Sequence, residues 1–220
     1  SANYGGGSYD GTLNNCTLSG NSADNGGGGS RYSTLSNCVL TGNSAYSGGG
    51  AYRCQLNTCT LSDNIASNLG GGVYTSALVN CTLSGNAAVY GGGSAYSSLS
   101  DCFLSSNQSD FGGGAYRDTL IRCTLSYNIA TFGGGSKDCT LDRCTLYGNS
   151  AASGGGSSGG RLNNCLLIGN AAEYGGGADL GIRNNCTIVS NSASIEGGGT
   201  AFGTNNNCIV YYNAAPSDRN

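Results

Sequence analysis

Cysteine is the residue type whose number and spacing in this chain could do chemistry. Ten of the twelve, Cys16, Cys38, Cys59, Cys81, Cys102, Cys123, Cys144, Cys165, Cys186 and Cys208, recur every 21 or 22 residues. Cys54 and Cys139 stand apart, each five residues before a column cysteine. Structural zinc sites need clustered Cys and His ligands. One sulfur per repeat and no His offers no closed cluster, so we expect no metal and no other cofactor. If repeats stack about 4.8 Å apart, successive column cysteines fall inside the disulfide Cα range of about 4.4–6.8 Å. Their side chains would point the same way, however, which strains such a bond. The plainer reading is a ladder of buried thiols packing as small hydrophobes. For Cys54 and Cys139 two readings stand. Each could bond within its own repeat, to Cys59 or Cys144, or each is a small turn residue, since Ser33, Ser76, Ser97 and Gly160 hold that place elsewhere.

Carboxylates are the second candidate. Nine charged residues crowd the stretch 101–143, among them Asp118, Asp138 and Asp142. A glycosidase needs two carboxyl groups about 5–9.5 Å apart across a cleft. The repeat has no long loop to build one. The same columns place Asp101 beside Arg122 and Arg117 beside Asp138, which reads as ladder salt bridges worth little each. We expect no catalytic residue and no enzyme. Triple glycines lack the Lys-Ser/Thr and following helix of a phosphate loop, and no Asp column follows them as calcium repeats require.

The elements that position these residues are repeats. Asparagine follows each column cysteine by five: Asn21, Asn43, Asn64, Asn86, Asn107, Asn128, Asn149, Asn170, Asn191 and Asn213. Three glycines end nine residues before each column cysteine. Around Cys81, Cys81 and Leu83 alternate with Asn80, Thr82 and Ser84, the period-2 pattern of a half-buried strand. Leu78 has the wrong parity for that face, so a bend or bulge separates the two. Two or three short strands in 21 or 22 residues match one turn of a parallel β-helix. The fold class expected is all-β, a right-handed parallel β-helix (β-solenoid) of about ten coils. Residues 1–215 form one array and 216–220 a C-terminal tail.

In-register stacking turns each sequence column into a ladder. Cys and the Leu two later point inward. A second inward column runs Leu13, Leu35, Leu56, Leu78, Leu99, Leu120, Leu141, Leu162 and fails at Arg183 and Asn205, where Ile182 could substitute in the first case. The asparagines belong in a tight turn, bonded up and down the stack as amide ladders are, with Asn tolerating left-handed backbone. The glycines form a strip without side chains that either turns sharply or admits another chain. Extra residues after Asn21, Asn64 and Asn191 mark a turn tolerant of insertion.

Outward positions carry Thr-x-Ser pairs such as Thr60 and Ser62, a pattern similar to ice-binding solenoids. Val39, Phe103 and Leu166 interrupt it, which favours an ordinary solvated β-face. Tyr90, Phe111 and Phe132 precede successive glycine triplets, and Tyr52, Tyr74 and Tyr116 follow them by two. Stacked rings could grip sugars or simply pack along a ladder.

The chain has 41 Gly, nine basic residues and a net charge of −3. That gives no electrostatic footprint for nucleic acid. No stretch has the roughly 18 apolar residues of a membrane span, so we expect no membrane insertion. Low charge and many Gly could signal disorder, but a strict period over ten copies argues for a repeat fold. No signal peptide is recognisable. With no Met, the chain is expected to be processed or part of something longer. Asn-x-Thr/Ser triplets at Asn15, Asn80, Asn107 and Asn185 read as by-products of the repeat.

The Leu-x-x-Asn motif (Leu83 to Asn86) and the Gly-Gly-Gly-small motif in each coil resemble the passenger repeats of bacterial polymorphic outer-membrane autotransporters, whose motifs are Phe-x-x-Asn and Gly-Gly-Ala-(Ile/Leu/Val). The resemblance runs from the first glycines to Asn213. It implies a β-helix acting as an adhesin, stalk or surface fibre, and an extracellular or cell-surface location, which the cysteine content also mildly favours. Ser1-Ala2 holds the phase that Ser22-Ala23 holds one coil later, and Asn213 is followed by Ala214-Ala215. The expected partner is therefore a second copy, head to tail in a homopolymer, or the chain is a segment of a longer surface protein. A polysaccharide-binding or polysaccharide-cleaving β-helix is the alternative function, with carbohydrate as its partner. An ice-binding solenoid is a lesser one.

Overall fold

The computed structural model describes residues 2–216, all β with no helix. Ser1 and residues 217–220, most of the expected tail, lie outside the described residues. Parallel strands stack in about ten turns, a β-solenoid. A full coil carries four short strand segments, and after Asn86 and Asn149 one of them is reduced to isolated bridges. In the second coil they are Ser22–Gly26, Ser30–Arg31, Thr34–Ser36 and Val39–Thr41. Like segments stack into sheets. A ten-stranded cysteine sheet runs from Thr17–Ser19 to Ile209–Tyr211, and a ten-stranded leucine sheet from Thr12–Asn14 to Thr204–Asn206. A nine-stranded sheet follows the glycines, from Ser8–Tyr9 to Ala178–Asp179. The fourth sheet, after the asparagines, is broken into short pieces joined by isolated bridges.

Register is strict. Leu61 pairs with Leu40 on one side and Leu83 on the other, and Leu56 with Leu35 and Leu78. Both leucine columns and the cysteines between them form one continuous core. Burying a Leu is worth about 1.5–3 kcal/mol, and repetition in every coil makes this the main apolar drive.

Four left-handed corners per coil explain why the strands are so short. One is the first glycine of each triplet, such as Gly48 at φ 63°. The others fall just after the two-residue strand (Arg53, φ 52°), before each column cysteine (Asn80, φ 54°) and before each column asparagine (Gly85, φ 65°). The break between Leu78 and Cys81 is thus a single left-handed residue. In the last corner that residue precedes the asparagine, so the asparagine itself does not supply the left-handed angle. Non-glycine residues there cost about 1–2 kcal/mol each, offset by inter-coil bonds such as Arg122 N to Asp142 O at 3.0 Å.

The glycine strip turns sharply and also admits close approach, but of the neighbouring coil. A Cβ on Gly50 would come 2.6 Å from the Gly72 carbonyl oxygen and 3.1 Å from the Asn64 amide. The extra residues after Asn21, Asn64 and Asn191 give five-residue strands, Ser22–Gly26, Ile65–Leu69 and Ser192–Glu196. The pairing register shifts at each of them.

The leucine column ends differently from expectation. Ile182 does not substitute. It pairs with Arg161 on the outward side, and Arg183 itself follows Leu162 inward, 1% exposed. Its guanidinium donates to Asn205 Oδ1 (2.6 Å), Leu180 O (2.5 Å) and Phe202 O (2.8 Å), and burial lowers its pKa.

Candidate functional site: the corner ladders and the aromatic face

A left-handed corner leaves the next residue's N–H pointing into the coil, where an unpaired donor costs about 1–3 kcal/mol. At three of the four corners a side chain from the following coil accepts it, although one of these ladders ends at Gly160, which has no side chain to offer. Asparagine does so without interruption, from Asn21 N to Asn43 Oδ1 through to Asn191 N to Asn213 Oδ1, all near 3 Å. Each amide also donates. Asn107 Nδ2 reaches Asn128 Oδ1 (3.0 Å) and the Leu83 carbonyl (3.0 Å), while its Oδ1 takes the N–H and amide of Asn86. The column is a buried polar spine that ties three coils together at every step.

The cysteine column works in the same way. Cys59 N donates to Cys81 Sγ (3.4 Å), Cys81 N to Cys102 Sγ (3.5 Å) and Cys102 N to Cys123 Sγ (3.4 Å). Each thiol donates back to a carbonyl two residues earlier, as Cys102 Sγ does to Ser100 O (3.2 Å). All twelve cysteines are free thiols. They pack with the leucines, as expected, and they also serve as acceptors, a role that their number and spacing did not reveal. Neighbouring sulfurs first, and burial second, hold the Cys102 and Cys165 thiols well above the ordinary range.

Cys54 and Cys139 belong to the third corner ladder. Gly11 N donates to Ser33 Oγ, Ser33 N to Cys54 Sγ, Cys54 N to Ser76 Oγ and Ser76 N to Ser97 Oγ. Ser97 N then donates to Asp118 Oδ1 (2.6 Å) and Asp118 N to Cys139 Sγ (3.3 Å). Neither cysteine bridges to Cys59 or Cys144. Both sit where a γ atom accepts a hydrogen bond from a backbone N–H, and burial raises both pKa values. The signal was available in the alternation of Ser, Cys and Asp at one position, the residues with a short acceptor.

Asp118 is the unusual member. It is buried, its Oδ2 has no partner, and burial raises its pKa to about 8 despite the Ser97 N–H. The Ser94 hydroxyl is also buried without a formed hydrogen bond. Asp118, Asp138 and Asp142, three of the five carboxylates in the 101–143 cluster, have separate partners. Asp118 faces inward, Asp138 pairs with Lys137 (3.0 Å), and Asp142 lies near Arg143 (3.8 Å) and Asn164 (2.9 Å). Arg122 does meet Asp101 (2.7 Å), which lowers the aspartate's pKa. Arg117 does not pair with Asp138. It reaches back to the Tyr96 hydroxyl (3.1 Å) because a tyrosine ring lies under it. Among the described residues no group of three His, Cys, Asp or Glu could hold a metal ion, and no helix is long and apolar enough to cross a membrane.

The outer surface beside the glycines is aromatic. Tyr9, Tyr32, Tyr52, Tyr74, Tyr96 and Tyr116 make a chain of ring contacts with centroids 5.1–6.3 Å apart. Tyr90, Phe111 and Phe132 stack beside it at 5.0 and 5.4 Å. Arg31, Arg53 and Arg117 lie over the tyrosine rings. No family model matches the chain, and no curated protein matches it.

Proposed function

We propose that this chain is a structural, non-catalytic β-solenoid that works outside the cell or at its surface as a stalk, adhesin segment or fibre. One observation carries the reading: each coil's backbone bonds to the coils on either side, and at the asparagine corner every N–H from Asn21 to Asn191 is accepted by the following coil, so an end coil is a template for another coil. The strand Ile209–Tyr211 shows what this leaves open. Val210 is 37% exposed, where Leu104 and Leu125 of the same column are fully buried. Addition of a second copy there would bury this edge by parallel pairing. The neighbouring half of the same coil is less inviting, since Arg183 and Asn205 close the leucine column with polar groups. The docking edge is therefore the cysteine-sheet side. The resemblance to surface-protein repeats supports the location.

Sedimentation velocity over a wide concentration range tests the assembly. The expected result is a concentration-dependent series of longer species that Val210→Asp abolishes while leaving the circular dichroism unchanged. A chain that stays monomeric at high concentration overturns head-to-tail assembly and leaves the stalk reading.

A further inference from the structure

Between Tyr9 and Tyr116 the tyrosine column is interrupted twice, by Arg31 and by Ala95. Tyr52 pairs with Tyr74, Tyr74 with Ala95, and Ala95 with Tyr116. Beside these rungs lies a cleft of about 220 Å³ lined by Asn68, Leu69, Tyr90, Tyr96 and Tyr116, while Ala95 itself is fully buried. Two aromatic ladders meet across it, with the Tyr90 and Tyr116 centroids 5.2 Å apart. The Arg117 guanidinium lies 5.4 Å from the Tyr116 centroid and bonds the Tyr96 hydroxyl. Among the described residues Arg31, Arg53 and Arg117 have no carboxylate partner; the ion pairs are Arg122–Asp101, Lys137–Asp138 and Arg143–Asp142. In a chain of net charge −3, the aromatic face thus collects unpaired positive charge.

We propose that this cleft is a binding site for one residue of an acidic polysaccharide, a uronate, with the flanking rings and Arg53 extending the contact along the ladder. The apolar face of a pyranose suits the ring faces, as aromatic-lined clefts with a few polar groups suit small ligands generally. Asn68 and the tyrosine hydroxyls supply hydrogen bonds to sugar hydroxyls. Arg117 supplies the fork that a carboxylate accepts in bidentate fashion. Aromatic and Arg side chains also stack on single-stranded nucleic acid. A nucleic-acid track would need a run of phosphate contacts, and here three guanidinium groups are spread over several coils. The site does not depend on end-to-end assembly.

The test is titration of the full chain with trigalacturonate, its methyl ester and an oligothymidylate, read by tyrosine fluorescence, which no Trp masks. Trigalacturonate is expected to bind, and its neutral ester about tenfold more weakly, since hydrogen bonds to charged groups are worth that much or more. Tyr90→Ser places in this column the residue that Ser47 and Ser153 hold in other coils, so it should fold. It is expected to weaken binding about tenfold or more by removing a ring that lines the cleft. Arg117→Gln is expected to weaken the acid about tenfold and leave the ester unchanged. The proposal is overturned if trigalacturonate does not bind, if the ester binds equally well, if both variants bind like the native chain, or if only the oligothymidylate binds.

Discussion

The asparagine corner and the corner that holds Cys54, Asp118 and Cys139 solve the same problem, an inward N–H left by a left-handed residue. One uses a single residue type in all ten coils; the other mixes Ser, Cys and Asp and gives way to Gly at Gly11, Gly160, Gly181 and Gly203. The difference lies in what else the side chain must do. Asn107 accepts twice and also donates to Leu83 O and Asn128 Oδ1. A side chain without an amide cannot make those four bonds. Ser76 or Cys54 need offer only one acceptor at the γ position. Between these two corners, uniformity follows the number of bonds the position must satisfy; the cysteine column is as uniform as the asparagine column with fewer bonds, because its side chain must also pack among the leucines.

Substitutions can break or sharpen this comparison. The largest effect is expected at the spine. Asn107→Ala removes the four bonds and strands the Leu83 carbonyl and the Asn86 N–H, costing about 3 kcal/mol or more. Asn107→Ser should recover only part of that, because a hydroxyl cannot reach both partners. Thermal unfolding checks this; equal stability of Asn107→Ser and the native chain would refute the distinction between the corners.

Next comes Asp118. Its folded pKa is raised by burial to about 8, whereas an unfolded Asp titrates near 4. The folded chain thus binds the proton more tightly. Its contribution is intact below about pH 4, declines as pH rises through the interval up to about 8, and is flat above that. Asp118→Ser keeps an acceptor for Ser97 N–H and removes the titration. The variant should melt higher than the native chain at pH 9 and much closer to it at pH 4. Parallel pH profiles would show that the carboxyl is not held neutral.

The cysteine column gives a smaller but sharper test. Were Cys102 only a small hydrophobe, Ala would replace it better than Ser. As an acceptor for Cys81 N–H, it should tolerate Ser within about 1 kcal/mol and lose about 1–3 kcal/mol as Ala. The order of the two melting temperatures decides between the roles. The smallest change is expected for Cys54→Ser, since Ser occupies the rungs on either side; an effect within about 0.5 kcal/mol is the ordinary range for a tolerated substitution.

Much of this was legible because stacking converts sequence columns into contacts. The Cys, Leu and Asn ladders followed from a fixed period, and the Asp101–Arg122 pair from column neighbours. Two of the four strand segments were not legible. Ala51–Tyr52 has two residues, and Ser44–Ser47 lacks alternating apolar residues, so neither carries a strand pattern. The acceptor role of the thiols was hidden because burial and hydrogen bonding both favour a small residue. Arg183 was missed because a charged residue in an apolar column reads as a failure, while the carbonyls of Leu180 and Phe202 that satisfy it come from irregular backbone. Ala95 was in plain sight in the sequence, but only pairing between coils shows that it interrupts the tyrosine column.

Particle length in electron micrographs tests the central claim, that these coils form a rod able to extend by coil-on-coil addition. Ten coils at about 4.8 Å each make a single unit of roughly 48 Å. The account expects rods whose lengths grow in steps of about that size as concentration rises. Compact particles, or rods that stay one unit long at every concentration, would contradict it.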